Sequence, residues 1–283
     1  MIPQSAESAG LTKEIAFSGS TFLGYSIAAI VSVLLPAAAY LLMRKYRAAR
    51  LYSVIVGIIT YFLAVKFCDF CVLILFSSAS PALQTALAVI FVSFFEETGR
   101  WLAMKYPLTD IRTDNHAVCY GIGHAGAECL MRGIQSFRII RIGQMLNSGG
   151  TEPFLSGKTA EQAKTVLQQL QAFADRNLFV SFTDCLNSAV NFCFHIALSL
   201  LIFRKIGDTK FLTRWLPLAI LIHVLFNGLY SDAAYIGGIA FANITCILAG
   251  LGITAAVSKI INGKALIESI LYPVHEEETD QAQ

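Results

Sequence analysis

Residues 22–43 read FLGYSIAAIVSVLLPAAAYLLM, a run of 22 residues without a charged side chain. The hydrocarbon core of a bilayer is about 30 Å thick, so about 20 apolar residues form a helix that crosses it. The rest of the chain has a similar character, since 55% of its 283 residues are hydrophobic and 14% are charged. About 25% of the residues in a typical soluble domain are charged. The sequence therefore predicts an integral membrane protein built from helices.

Seven segments are candidates for membrane helices: 22–43, 51–76, 83–104, 116–134, 179–203, 212–230 and 234–257. We predict an all-α, multi-pass bundle of about seven transmembrane helices, in a single membrane domain over residues 1–283. Its core would be 22–257, with a polar tail at 1–20 and an acidic tail at 270–283. Within the long connection 135–178, TAEQAKTVLQQLQAFADR has apolar residues at helical spacing. This pattern predicts an amphipathic helix on the membrane surface or at the end of the bundle.

The basic residues indicate how the chain is oriented. Lys and Arg occur in every second connection, as in MRKYRAAR after the first segment and RKIGDTKFLTR after the fifth. The long connection 135–178 also holds five basic residues, but long loops follow the charge rule poorly. Short basic loops stay in the cytoplasm, so we expect a cell-membrane protein with its N-terminus outside and its C-terminus in the cytoplasm. The surroundings would be the lipid bilayer. A nucleic-acid partner is not expected, because the net charge is only +2 and no basic stripe with interleaved aromatic residues occurs.

The third segment contains a cluster of charges. Residues 91–104 read FVSFFEETGRWLAM, in which Glu96 and Glu97 precede Arg100 by four and three residues. Either carboxylate can reach the guanidinium on one helix face. A structural ion pair accounts for one glutamate, and the second predicts a carboxylate available for proton chemistry, because charges inside a membrane are rare and often functional. Lys66 and Asp69, three residues apart in the second segment, are predicted to form a structural ion pair.

Three later segments carry polar residues at helical spacing. His124 and Glu128 are four apart in YGIGHAGAE, His195 lies in NFCFHIALSLL, and His223 and Asn227 are four apart in LIHVLFN. Each of these could be a buried histidine or an interhelical hydrogen bond, which are common in membrane bundles. The predicted depths favour a shared site, since a rise of about 1.5 Å per residue places the histidines and the glutamates of the third segment in one layer. That layer lies in the cytoplasmic half of the membrane.

Two kinds of chemistry fit these residues. A carboxylate, directly or with a histidine, could take a proton from water, while histidine and Asn227 stabilise the oxyanion that forms on an attacked carbonyl. Alternatively, His124, His195, His223 and a glutamate could hold a divalent metal such as zinc, which lowers the pKa of bound water. The HExxH motif of zinc proteases and the GxSxG motif of serine hydrolases do not occur in the sequence.

The motifs together resemble the YhfC family of intramembrane proteases. This family is related to the CAAX-processing and bacteriocin-immunity (ABI) membrane proteases. Those enzymes share a double glutamate with an arginine, an aromatic residue four before a histidine, and a histidine four before an asparagine. The resemblance covers residues 90–230, and the matching residues are Glu96, Glu97, Arg100, Tyr120, His124, His223 and Asn227.

This resemblance implies a bacterial peptidase that acts on a membrane-associated peptide or protein. It implies that Glu96 or Glu97 activates water with His124, and that His223 and Asn227 form the oxyanion site. Arg100, Tyr120, Glu128 and His195 would support them. Relatives have been described as metalloproteases and as glutamate proteases, so the resemblance leaves the metal open.

The sequence also departs from the CAAX enzymes at two of the motifs. Its EExxR is one residue shorter than EExxxR, which leaves open which glutamate is the base. Tyr120 replaces the usual phenylalanine, and the added Glu128 fits the YhfC pattern better than the CAAX pattern.

Two functions of other classes compete with proteolysis. Buried glutamates and histidines also form proton paths in transporters, although the repeated halves common in transporters are not visible in the sequence. A non-catalytic membrane scaffold could also retain a protease-like core. Replacing Glu97 by glutamine would keep the shape and remove the carboxylate, which separates these functions in principle.

Overall fold

The computed structural model describes residues 15–47, 50–109 and 113–261, and within these ranges it contains helices and no strand. The predicted acidic tail 270–283 and most of the polar tail 1–20 lie outside the described residues. One short π-helix, Cys71–Leu75, directly follows the α-helix that ends at Phe70, and another, Phe211–Trp215, directly precedes the α-helix that begins at Leu216. The all-α prediction is confirmed. The helices are α1 (Gly19–Arg47), α2 (Leu51–Phe70), α3 (Pro81–Lys105), α4 (Asp114–Gly149), α5 (Glu152–Leu155), α6 (Ala160–Ala174), α7 (Leu178–Lys205) and α8 (Leu216–Ile260).

Each of the seven predicted apolar segments coincides with a helix. Among the described residues, four helical stretches are long and apolar enough to cross a membrane by length and composition. Helices α3 and α4 fall below that measure because charged and polar side chains interrupt their apolar runs. The four stretches are Gly19–Lys45, Leu51–Leu75, Leu178–Lys205 and Phe211–Ile260.

Helix α8 contains two predicted segments and folds back on itself at Gly238. This residue has φ 78° and ψ 179°, a backbone conformation that glycine adopts without steric cost. A Cβ built on Gly250 would lie 3.2 Å from the Phe226 ring, whereas residues that far apart in a straight helix are separated by about 36 Å. The halves 216–237 and 239–260 therefore form a hairpin.

The predicted break between these two segments, at residues 231–233, was wrong. Residues 231–233 are helical. Ser231 and Asp232 reduce the local hydropathy, but their backbone fits a helix. The reversal requires the positive φ that Gly238 provides five or more residues later.

Helix α4 extends far beyond the predicted segment 116–134. It ends at Gly149 and has 36 residues, which corresponds to about 54 Å. Residues 135–149, expected to belong to a connection, are thus helical. The amphipathic helix predicted in the same connection is confirmed as α6. It begins with a capping box in which Thr159 and Gln162 each bond the other's backbone N–H.

The chain divides into two compact units. Of the described residues, those in 15–33 and 130–186 form the first unit, and those in 34–129 and 187–261 form the second. In the first, the Phe17 backbone makes two hydrogen bonds with the Asn147 side chain, of 2.8 and 2.9 Å. The second contains all the residues singled out above as catalytic or supporting. The single membrane domain expected from the sequence stays a prediction.

Close helix packing in the second unit fixes the position of α4. A Cβ on Gly123 would lie 2.0 Å from the Val54 carbonyl oxygen, and one on Gly57 would lie 2.2 Å from the Tyr120 carbonyl oxygen. Small residues allow such backbone contact between membrane helices. Gly121 approaches α7 in a similar way, with its built Cβ 2.9 Å from a backbone atom. As a result, α4 holds its histidine firmly between α2 and α7.

Candidate active site

Glu97 is the glutamate that pairs with Arg100. Both side chains on α3 are fully buried. Arg100 Nε lies 3.2 Å from Glu97 Oε2, and Arg100 Nη2 donates to Glu97 Oε1 at 3.2 Å. Arg100 Nη1 also donates to the His195 carbonyl oxygen at 2.6 Å and to the Ser199 hydroxyl. The guanidinium is therefore bound on α3 and α7 and neutralises Glu97.

Glu97 also sets the orientation of His223 on α8. Its Oε1 lies 2.8 Å from His223 Nδ1. An ionised carboxylate can only accept hydrogen bonds, so Nδ1 carries the hydrogen and Nε2 of the neutral ring is an acceptor. That Nε2 lies 3.8 Å from Glu96 Oε2. A basic nitrogen is thus directed toward the second glutamate.

Glu96 is surrounded by imidazole rings. Its Oε2 lies 2.9 Å from His124 Nε2. The same oxygen lies 3.8 Å from His195 Nδ1 and 3.8 Å from His223 Nε2. Only 4% of the residue is exposed. Histidines from α4, α7 and α8 therefore converge on this carboxylate, while Arg100 bonds its neighbour.

Glu128 bonds His195 rather than the histidine that precedes it by four residues. Its Oε2 lies 3.0 Å from His195 Nε2 and accepts a hydrogen bond of 2.8 Å from Asn191 Nδ2. On the other side of the ring, His195 Nδ1 lies 3.2 Å from Arg100 Nη2. Both nitrogens of His195 are thus fixed by charged groups.

Aromatic rings hold His124 in place. The Tyr120 ring is stacked with it at 6.0 Å between centroids, and Tyr61 meets it edge-on at 5.5 Å. Arg100 lies 5.9 Å from the centre of the Tyr120 ring. His124 Nδ1 is buried and has no hydrogen-bond partner within the described ranges. The ring therefore has one nitrogen directed at Glu96 and one without a polar contact.

Asn227 lies one helical turn from His223, beside α3. Its Nδ2 donates to Ser93 Oγ at 3.2 Å, and Ser93 Oγ donates to the Val89 carbonyl at 2.8 Å. Ser93 precedes Glu96 by three residues and is completely buried. The amide is therefore held at the edge of the glutamate pair.

The structure brings together all the predicted site residues, and it adds three side chains that the sequence analysis missed. Ser93, Asn191 and Ser199 bond Asn227, Glu128 and Arg100, respectively. Asn191 and Ser199 could have been found from their spacing on α7, because they lie four residues before and four residues after His195. The predicted structural pair of Lys66 and Asp69 is confirmed, at 3.2 Å and exposed on α2.

The residues around Glu96 fit a divalent metal. Ligand atoms of Glu96, His124 and His195 all lie within 4.8 Å of one another, and all three residues are buried. Around tetrahedral zinc, with bonds of about 2.0–2.1 Å, neighbouring ligand atoms are about 3.3 Å apart, and two histidines with a glutamate form a known catalytic set. The carboxylate of Glu96 faces imidazoles, so a cation would balance its charge. His223, predicted as a further ligand, lies beside this group.

Comparisons with known proteins agree with this geometry. The family model described as "YhfC intramembrane metalloprotease" matches residues 31–249, a range that includes the whole site. The "uncharacterized membrane protein YhfC" of Bacillus subtilis (strain 168) is 29% identical over 140 residues, which is 49% of this chain and 52% of that protein. The chain therefore spans about half the length of this curated relative. No solved structure matches the chain. By the extent of the family match, the protein belongs to the YhfC intramembrane metalloprotease family.

Proposed function

We propose that this protein is an intramembrane peptidase that hydrolyses a peptide bond of a membrane-associated polypeptide, with water activated at Glu96 near the cytoplasmic face. The observation that carries the proposal is the contrast between two adjacent glutamates. Glu97 is neutralised by Arg100, whereas Glu96 faces three imidazole rings. Carboxylates in such different surroundings take different roles in catalysis.

The chain's own groups supply a route for the water proton. Glu96 Oε2 and the acceptor Nε2 of His223 lie on the same side of the site, 3.8 Å apart. A general base has to lie within hydrogen-bonding distance of the proton it removes. In the proposed reaction His223 Nε2 takes the proton of the attacking water and returns it to the leaving nitrogen, and Glu96 shares this role where its carboxylate does not hold a metal. Glu97 and Arg100 hold His223 in the required tautomer.

Asn227 is placed to stabilise the oxyanion. One N–H of its amide donates to Ser93, and the other remains to donate to the carbonyl oxygen of the scissile bond. Fixed donors of this kind stabilise the charge that develops on that oxygen in the transition state. Ser93 would therefore act as a positioning residue for Asn227.

Glu96, His124 and His195 are the residues that would hold a metal such as zinc, with His195 binding through Nδ1 in place of its contact with Arg100 Nη2. A bound divalent ion lowers the pKa of water and polarises a carbonyl group. Glu128 and Asn191 would orient His195 from behind, as carboxylates commonly do for histidine ligands. An ionised Glu96 would favour this metal-dependent form over a glutamate-only mechanism, because a buried negative charge without a cation is costly.

The test compares new peptide termini in membranes of host cells that express the wild type, Glu96→Gln or Lys66→Gln at matched levels. Lys66→Gln is the control, because it removes a charge from an exposed ion pair on α2. We expect new termini with the wild type and Lys66→Gln, and none with Glu96→Gln. Identical termini for all three, with each protein folded, would contradict the proposal and favour transport or a scaffold role.

A further inference from the structure

Helix α7 carries buried amide side chains on the same face as His195. Asn187 and Asn191 precede this histidine by eight and four residues and are 4% and 5% exposed. Asn191 bonds Glu128. Asn187 Nδ2 lies 3.4 Å from Oδ1 of Asn243, which is 0% exposed in the second half of α8. The proposed catalytic roles leave this amide pair unused.

Within this contact, the Asn187 side chain is incompletely satisfied. Its 3.4 Å contact is longer than the usual range of about 2.7–3.2 Å for such hydrogen bonds. In addition, Asn187 Oδ1 is buried and lacks a hydrogen-bond partner in the part of the chain that the structure describes. Buried polar groups normally have partners, and one that does not often has a functional reason. A ligand with its own amide groups could supply the donor that Asn187 Oδ1 lacks.

We propose that Asn187 and Asn243 form a subsite that binds the peptide backbone of the substrate, and that the substrate enters by parting α7 from the second half of α8. This inference rests on the proposed peptidase function, and it adds where the substrate backbone binds and by which route it enters. The substrate class is a membrane segment that is locally unwound around the scissile bond.

The chemistry of an unwound segment matches these side chains. Unwinding exposes N–H and C=O groups that lipid cannot satisfy, and a carboxamide offers both a donor and an acceptor. Asn187 and His195 are two turns apart on α7, about 12 Å along the axis. An extended chain advances about 3.3 Å per residue. A segment bound at Asn187 would therefore reach the catalytic histidines within three or four residues.

The contact between α7 and the second half of α8 is suited to opening. In an apolar 18-residue window of α7, 72% of the residues are buried, whereas six of the 22 residues 239–260 in the second half of α8 are buried. On the second half of α8, Leu248 is 67% exposed. Contacts between the two helices include the amide pair and the Val190 side chain against Gly250. Side-chain contacts can be exchanged for contacts with substrate, unlike the backbone contacts that join α4 to α2.

A reversible disulfide tests the entry route. A Cβ on Gly250 would lie 2.5 Å from Val190 Cγ1, which places the two Cβ atoms within about 4 Å, inside the range for a disulfide. We call the contact between α7 and the second half of α8 the seam. The seam pair of cysteines is made by Val190→Cys and Gly250→Cys. Cys193→Ala and Cys246→Ala are added to prevent other disulfides. The probe is the polypeptide whose termini distinguish wild type from Glu96→Gln. We expect oxidation to reduce its cleavage at least tenfold, and a reducing agent to restore it.

A matched control joins α2 to α3. A Cβ on Gly99 would lie 2.8 Å from Thr60 Cγ2, so Thr60→Cys with Gly99→Cys forms a comparable crosslink away from the seam. We expect this crosslink to change cleavage less than threefold. The entry route is wrong if the oxidised seam pair cleaves as fast as its reduced form.

Removing the amides tests the subsite itself. Asn187→Leu and Asn243→Leu keep the branching and the number of heavy atoms and remove the hydrogen-bonding groups. We expect KM for the same polypeptide to rise at least tenfold while kcat changes less than threefold. Ser258→Ala is the control, because it removes a buried hydroxyl of α8 that bonds the Thr254 carbonyl of its own helix. A purely structural role would lower the yield of folded protein and leave KM of the folded fraction unchanged.

The outcomes separate this proposal from the one on which it rests. If the wild type produces no new termini, the peptidase function is wrong and the subsite falls with it. If the wild type cleaves and neither the seam disulfide nor the leucine variants alter cleavage, the function stands and the subsite is wrong. Tenfold effects of both kinds, with unaffected controls, support the subsite.

Discussion

Glu97 Oε1 and His223 Nδ1 lie 2.8 Å apart, although their residues are separated by 126 positions in the chain. Both residues are almost fully buried, at 0% and 1% exposure. This contact joins α3 to α8 and distinguishes the two glutamates. Glu97 binds a guanidinium and an imidazole N–H, and on this basis we propose Glu96 as the carboxylate that takes part in chemistry.

The stability of two glutamine variants follows from this division. Glu97→Gln leaves Arg100 buried without its carboxylate, and breaking a buried ion pair in this way costs about 3–5 kcal/mol. Glu96→Gln removes a charge that faces imidazoles, so we expect a change in the free energy of unfolding within about 1 kcal/mol. Unfolding of the purified proteins in detergent measures both. Equal stability of Glu97→Gln and wild type would contradict the pairing.

Metal content follows from the group formed by Glu96, His124 and His195. We expect the purified protein to hold about one equivalent of a divalent metal such as zinc. His124→Ala and His195→Ala should each lose most of it, because each removes one of three ligands. His116→Ala is the control, since His116 bonds Thr113 at the start of α4. Elemental analysis by mass spectrometry checks this, and equal metal in all four proteins would argue against the site.

Asn227 should affect the rate of reaction and leave the metal in place. Removing one oxyanion donor lowers kcat by about 10²–10³-fold in enzymes that use such a donor, and we expect this loss for Asn227→Ala. Ser93→Ala should cause a smaller loss, because it only frees the amide to rotate. Cleavage rates measured alongside metal content test the role. A loss of metal in Asn227→Ala would show that Asn227 maintains the site structurally instead.

The predicted orientation can be tested at two exposed lysines. Lys158 follows α5 and Lys210 lies between α7 and α8. The charge pattern of the loops places the first outside the cell and the second in the cytoplasm. In intact cells, a membrane-impermeant thiol reagent should label Lys158→Cys and spare Lys210→Cys until the membrane is permeabilised. Labelling in the opposite order would reverse the predicted topology.

Sequence spacing was sufficient to predict the helical class, and the candidate site residues that it selected lie close together in the structure. Hydropathy identifies membrane helices because lipid tolerates few unpaired polar groups, and the charged side chains within such helices stand out. Spacing along one helix could not assign Glu96 and Glu97, since both can reach Arg100 at i+4 and i+3. Only the folded positions of α7 and α8 show that Glu97 bonds His223 in addition to Arg100.

The limits of the helices were harder to predict for two physical reasons. Hydropathy falls after residue 134, yet helix α4 continues to Gly149 because helical backbone does not require apolar side chains. Polar residues near position 232 suggested a break, whereas the chain turns at Gly238, where φ is positive. The end of α4 and the turn within α8 are therefore determined by backbone conformation and not by hydropathy.

Water activation at Glu96 is the central claim, and isotope incorporation tests it most directly. The purified protein would be reconstituted in liposomes with the polypeptide that it cleaves in cells, in water enriched in oxygen-18. We predict that the wild type cleaves it and places oxygen-18 in the new carboxyl terminus. Glu96→Gln should produce at least about 10²-fold less of this product. Equal labelled product from Glu96→Gln, or no cleavage by the wild type, would contradict the account.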